Sequence, residues 1–192
     1  MDLDAFYAEE FEQHAELLIA TRAQCRAPFT ALVGAAAASV RGGGKLMFFG
    51  NGGSAADAQH LATELAVRYV KDRAPIAAVA LTTDSSALTA IGNDLGFGQT
   101  FARQLRALGR PGDLAVGIST SGTSANVIEA LKAARELGIA AAGLTGASGG
   151  AMKGLCEPLI CVPSTVTARI QEMHIMLGQM LCGALERELG LV

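Results

Sequence analysis

Five short, almost wholly apolar segments punctuate this chain: Lys45–Phe49, Ala77–Leu81, Asp113–Ile118, Ile139–Leu144 and Leu159–Val162. Each is too short for a helix and lacks the polar alternation of a strand with one wet face. They read as strands buried on both sides, which is the signature of a parallel sheet. Helical patterns lie between them, at Ala55–Tyr69, as a broken pair within Ser86–Leu108, at Ser124–Leu137 and at Gly150–Leu155, and a last helix spans Thr167–Leu189. Strand–helix alternation of this kind folds as an α/β three-layer sandwich around a five-stranded parallel sheet.

Two further helices precede the first strand. Phe6, Phe11, Leu17 and Leu18 recur at helical spacing over Leu3–Cys25, and a second helix runs from Pro28 to Val40 before Gly42-Gly43-Gly44 ends it. With no strand of their own to cover, residues 1–41 are expected to form an oligomerisation segment on a single domain spanning 1–192. The mean hydropathy of +0.35 also suggests that apolar surface is buried between subunits.

Composition removes several function classes. The net charge is −3 with 17% charged residues, so neither a basic nucleic-acid face nor an acidic tail is present. No run approaches the roughly 18 apolar residues of a membrane span, and the acidic start MDLDAFYAEEFEQ is unlike a signal peptide. The four cysteines, Cys25, Cys156, Cys161 and Cys182, form no C-x-x-C pair and read as buried thiols of a reducing cytoplasm.

In parallel α/β sheets ligands bind beyond the carboxyl ends of the strands. Two such ends are unusual. After the first strand comes Asn51-Gly52-Gly53-Ser54, a glycine turn leading into a helix. It is neither a Walker loop, lacking G-K-[ST], nor a Rossmann fingerprint, lacking the third glycine. After the third strand comes Ser119-Thr120-Ser121-Gly122-Thr123-Ser124, in which five residues carry hydroxyls and a helix follows. Neutral donors at a helix N-terminus suit a phosphate monoester, although Ser124 alone would read as a helix cap.

Groups able to do chemistry sit close by in sequence. His60 and Glu64 stand four apart on one helical face, the spacing of a surface hydrogen bond or of two metal ligands. Asn93 and Asp94 close a helical segment, and Arg169, Gln171, Glu172 and His174 bring polarity to the final helix.

With these residues in view, the chain resembles the phosphoheptose (sedoheptulose 7-phosphate) isomerases of the SIS-domain superfamily, whose fold is flavodoxin-like. The resemblance spans nearly the whole chain through GNGGSAADAQH (Gly50–His60), ALTTD (Ala80–Asp84), LTAIGND (Leu88–Asp94), GISTSG (Gly117–Gly122), GLTG (Gly143–Gly146) and ARIQEMH (Ala168–His174). It implies isomerisation of sedoheptulose 7-phosphate to D-glycero-D-manno-heptose 7-phosphate, an aldose–ketose intramolecular oxidoreduction that opens heptose supply for bacterial surface polysaccharide such as lipopolysaccharide. It further implies a cytoplasmic homotetramer with zinc-holding active sites between subunits. By the family's pattern Asn51, Gly52, Gly53, Glu64, Asn93, Asp94, Ser119, Thr120, Ser121, Ser124 and Gln171 contact substrate. His60, Glu64 and Gln171 hold the metal, and Glu64 is the base.

One position departs from the family. Where it carries a histidine, as metal ligand and proton carrier, this chain has Gln179. An amide exchanges no proton near neutral pH and is a poorer zinc ligand than imidazole. His174 lies roughly 140° away around the helix at 100° per residue, and so does not replace it. Asp94 or a bound water is then expected to carry the proton, and metal binding to be weaker. Two other functions fit the same superfamily: a non-catalytic protein that binds the bacterial replication initiator DnaA, and a sugar-phosphate-sensing module.

Overall fold

The computed structural model describes all of residues 1–192. Two helices, α1 (Leu3–Gln24) and α2 (Arg26–Arg41), lead into β1 (Leu46–Gly50), α3 (Gly53–Ala66) and β2 (Ala78–Ala80). Then come α4 (Ser85–Asp94), α5 (Thr100–Leu108), β3 (Leu114–Ser119), α6 (Ala125–Glu136), β4 (Ala140–Gly146), β5 (Leu159–Val162) and α7 (Thr167–Glu188). All five strands run parallel in the order β2-β1-β3-β4-β5.

Both faces of the sheet are covered, as the apolar strands require. Leu46, Phe48, Val116, Leu144 and Ile160 point into one core with α2, α3 and α7. Met47, Phe49 and Ala115 point the other way, against α5 and α6. Alternate residues of one strand thus feed two separate cores.

Three details differ from the sequence expectations. First, α2 does cover the sheet: Leu32, Ala36 and Ala37 are buried in the first core, because the alanine-rich face lets the helix approach closely. Only α1 fits the expectation of a helix without a strand, packing on α7 and α2 and leaving Phe6, Tyr7, Phe11 and Ile19 exposed. Second, α3 stops at Ala66, not Tyr69, because the following loop turns back beneath it. Third, the segment 150–155 makes only a 3₁₀ turn at Gly150–Met152, entered through Gly149 and Gly150 with φ of +66° and +51°. No helix is long and apolar enough to cross a membrane. All four cysteines are free; three are buried and Cys161 is half-buried.

Candidate active site

Strand order decides where a ligand can sit. In the order 2-1-3-4-5 the connections reverse direction between β1 and β3, opening a crevice beyond their carboxyl ends. The register pairs Gly50 with Ile118, so the glycine turn and the hydroxyl loop leave the sheet side by side. A cavity of about 400 Å³ lined by Arg135, Ile139, Gly154 and Glu157 lies at the opposite, amino ends of β4 and β5. The chemistry converges at the switch point, so strand-end position outweighs cavity size here.

The two loops are tied together. Asn51 Nδ2 donates to Asn126 Oδ1 and Asn126 Nδ2 donates to Asn51 Oδ1, both at 2.8 Å. Asn126 is only 3% exposed, in the first turn of α6. This reciprocal amide pair occupies the side chain of Asn51, so that residue braces the loops. Sequence reasoning missed Asn126, since nothing in local periodicity announces a partner 75 residues away.

The hydroxyl loop is internally wired. Ser119 Oγ lies 2.9 Å from Ser124 Oγ, the Gly122 N–H donates to Ser119 Oγ at 3.2 Å, and Thr123 donates through its N–H and its hydroxyl to Ser121 Oγ. Gly122 has φ +67°, and its Cα presses on the main chain of Gly149 with no room for a side chain. Ser124 stands at the N-cap of α6, yet its hydroxyl makes no capping bond. The capping alternative therefore fails for this serine. The positive end of α6 is left without a capping side chain, as an anion site needs.

Along α3 the polar face carries Gly53, Asp57, His60 and Glu64, opposite α7. His60 Nε2 is 3.4 Å from Glu64 Oε1. Gln179, from α7, donates its amide N–H to His60 Nε2. The departure from the family pattern thus lies against the histidine itself. Gln171 meets α3 nearer its start: its amide rests where a Cβ on Gly53 would sit, about two turns before His60. His60 meets Glu64 and Gln179 directly, and Gln171 makes no hydrogen bond with any of the three.

These residues fit a metal ion in part. The 3.4 Å between His60 Nε2 and Glu64 Oε1 is the edge of a tetrahedron with bonds of about 2.1 Å. No third His, Cys, Asp or Glu of this chain joins them, and the side chain that reaches His60 is the Gln179 amide.

Burial shifts one titrating group on α3 and one on α7. Asp57, one turn before His60, has a buried Oδ2 with no partner. Burial pushes its carboxyl up to about 6, against the pull of His60. Sequence reasoning passed over it, although 57, 60 and 64 share one helical face. His174 is 1% exposed, its Nε2 is 3.2 Å from Thr145 O, and burial pulls it down to about 4. It points into the core while Gln179 meets His60, as the helical geometry requires. Asn93 and Asp94 are exposed at the end of α4, with Asn93 Nδ2 donating to Asp94 Oδ1 at 2.7 Å. Asp94 makes no hydrogen bond or ion pair with His60, Glu64 or Gln179.

The family profile described as SIS domain matches residues 9–146. The phosphoheptose isomerase of Paramagnetospirillum magneticum is 55% identical over 97% of both chains. Among solved structures, phosphoheptose isomerase GmhA of Neisseria gonorrhoeae superposes with a TM-score of 0.90 at 44% identity, covering 96% of this chain and 99% of that one. A phosphoheptose isomerase of Francisella tularensis does so with a TM-score of 0.92 at 34% identity, covering 97% and 99%. The chain belongs to the SIS-domain family and, within it, to the phosphoheptose isomerases, a group of sugar-phosphate isomerases.

Proposed function

We propose that this isomerase interconverts sedoheptulose 7-phosphate and D-glycero-D-manno-heptose 7-phosphate, the first step toward nucleotide-activated heptose for a bacterial surface polysaccharide. The observation that carries the reading is the amide pair Asn51–Asn126. It joins a hydroxyl loop suited to phosphate and a glycine turn suited to a polyol at one switch point.

Ser119, Thr120, Ser121 and Ser124 receive the phosphate with neutral donors, aided by the dipole of α6. Asn51, Gly52 and Gly53 wall the sugar chain, with Asn93, Asp94 and Gln171 as further contacts. Glu64 takes a proton from C1 of the ketose. The C–H electron pair becomes the C1–C2 double bond, and the C2 carbonyl oxygen gains a proton to give an enediol. Return of a proton to C2, with loss of the C1 hydroxyl proton, gives the aldose. One oxygen of Glu64 faces His60 and the other makes no hydrogen bond within the chain, which leaves it available for this transfer. A zinc ion held by His60 and Glu64, with amide oxygen from Gln171 or Gln179, would polarise the carbonyl and steady the developing charge. The reading includes a cytoplasmic homotetramer with intersubunit sites, and the exposed Phe6, Tyr7, Phe11 and Ile19 of α1 offer an apolar face for contact between subunits.

Purified protein supplied with zinc and sedoheptulose 7-phosphate should form the aldoheptose phosphate, and Glu64→Gln should abolish it. A wild type inactive across pH and metals, but active as Gln179→His, would remove the present-day activity from this reading.

A further inference from the structure

The loop that leaves α3 folds back so that Arg73 lies under the end of that helix. Its guanidinium is buried, with 1% of the side chain exposed, and meets the equally buried carboxylate of Glu186 on α7. Arg73 Nε donates to Glu186 Oε1 at 2.7 Å, and the same oxygen accepts the Tyr69 N–H at 3.1 Å. One terminal nitrogen of the guanidinium donates to the main-chain O of Leu65 at 2.8 Å. The other donates to the main-chain O of Glu64, also at 2.8 Å.

The position of this clamp is informative. The last carbonyls of a helix have no donor four residues ahead, and without partners the final turn frays. α3 ends at Ala66, so the carbonyl of Glu64 falls within that turn. Arg73 takes it up, with its cation at the negative end of the helix dipole. Burying an ion pair is costly, and well-packed apolar side chains would hold two helices together without that cost. What apolar packing cannot supply is a rigid fork of donors that grips particular carbonyls. The gripped carbonyls belong to the turn bearing Glu64, and the anchoring carboxylate stands on α7, the helix that carries Gln179.

We propose that Arg73, anchored by Glu186, is a positioning residue of the isomerase: it locks the last turn of α3 onto α7 and so holds the Glu64 carboxylate beside His60, which Gln179 of α7 meets. The inference rests on the reading of Glu64 as the base. Loss of the fork should loosen the carboxylate while leaving the phosphate loop, on α6 across the sheet, intact. The damage therefore belongs in kcat and in metal affinity, not in KM.

The test measures kcat, KM and the zinc dissociation constant for wild type, Arg73→Lys, Glu186→Gln and Glu64→Gln, normalised to folded protein by circular dichroism. Lysine keeps the charge but cannot span Glu186, Glu64 O and Leu65 O together. Arg73→Lys should lose at least thirtyfold in kcat with KM within threefold, and bind zinc at least fivefold more weakly. Glu186→Gln retains an acceptor for Arg73 and Tyr69 but removes the counter-charge of the buried guanidinium; as the near-isosteric change it should lose three- to tenfold in kcat per folded protein. If Arg73→Lys does not fold, Glu186→Gln decides, a three- to tenfold loss of kcat with KM within threefold supporting the inference and a wild-type kcat overturning it. Folded variants with wild-type kcat and zinc affinity, beside an inactive Glu64→Gln, overturn the inference alone. A Glu64→Gln variant with wild-type kcat overturns the base reading and the inference together.

Discussion

Replacing Asn126 by alanine removes both hydrogen bonds of the amide pair that ties the two loops at the switch point. Each is a neutral side-chain bond worth about 1 kcal/mol net. Asn51 is half-buried, so water can rehydrate its amide, and the expected cost is about 2 kcal/mol. For a chain of this length that lowers the thermal midpoint by roughly 4–8 °C. The reverse truncation should cost more. Asn51→Ala leaves the amide of Asn126 unpaired at 3% exposure, which raises the cost to about 2–4 kcal/mol through uncompensated desolvation. Denaturant unfolding of both single variants and the double variant closes a thermodynamic cycle, with an expected coupling of about 2 kcal/mol. Activity should fall in both single variants, since the phosphate loop and the sugar wall then move independently. Additive effects, or two single variants each within about 0.5 kcal/mol of wild type, would refute the bracing role.

Acid stability should report His174. Its folded value near 4 lies below the unfolded 6.5, so its contribution is complete above pH 6.5 and is lost as pH falls through 4. By pH 4.5 the wild type should have lost roughly 2 kcal/mol from this group, and His174→Phe should unfold in urea without that component. Gly53→Ala should raise KM about tenfold by displacing the Gln171 amide, while its midpoint holds or rises slightly because alanine suits a helix; an unchanged KM would count against Gln171 as a sugar contact. Gln179→His places an imidazole against His60 and Glu64 and should tighten zinc binding at least tenfold in a chelator competition.

Much of this architecture is legible in local pattern. Lys45–Phe49 and Leu159–Val162 declare buried strands by their unbroken apolar character, and their helices follow from spacing. The hydroxyl loop was readable because its donors are contiguous, from Ser119 to Ser124. What stayed hidden depends on partners far apart in sequence. The Asn51–Asn126 pair and the reach of Arg73 to Glu186 both cross tertiary space that periodicity does not encode. α2 was misjudged because an alanine-rich face gives a weak apolar signal, although small residues are what let it lie close to the sheet. Gln171 and Gln179 stand about 80° apart around α7 and about 12 Å apart along it.

The most direct test of the central claim follows the reaction in deuterated water by NMR, with sedoheptulose 7-phosphate as substrate. Proton transfer through Glu64 exchanges with solvent, so the aldoheptose phosphate should carry deuterium at C2, and Glu64→Gln should yield no labelled product. Aldose formed by the wild type with hydrogen alone at C2, or labelled product formed at full rate by Glu64→Gln, would contradict the account.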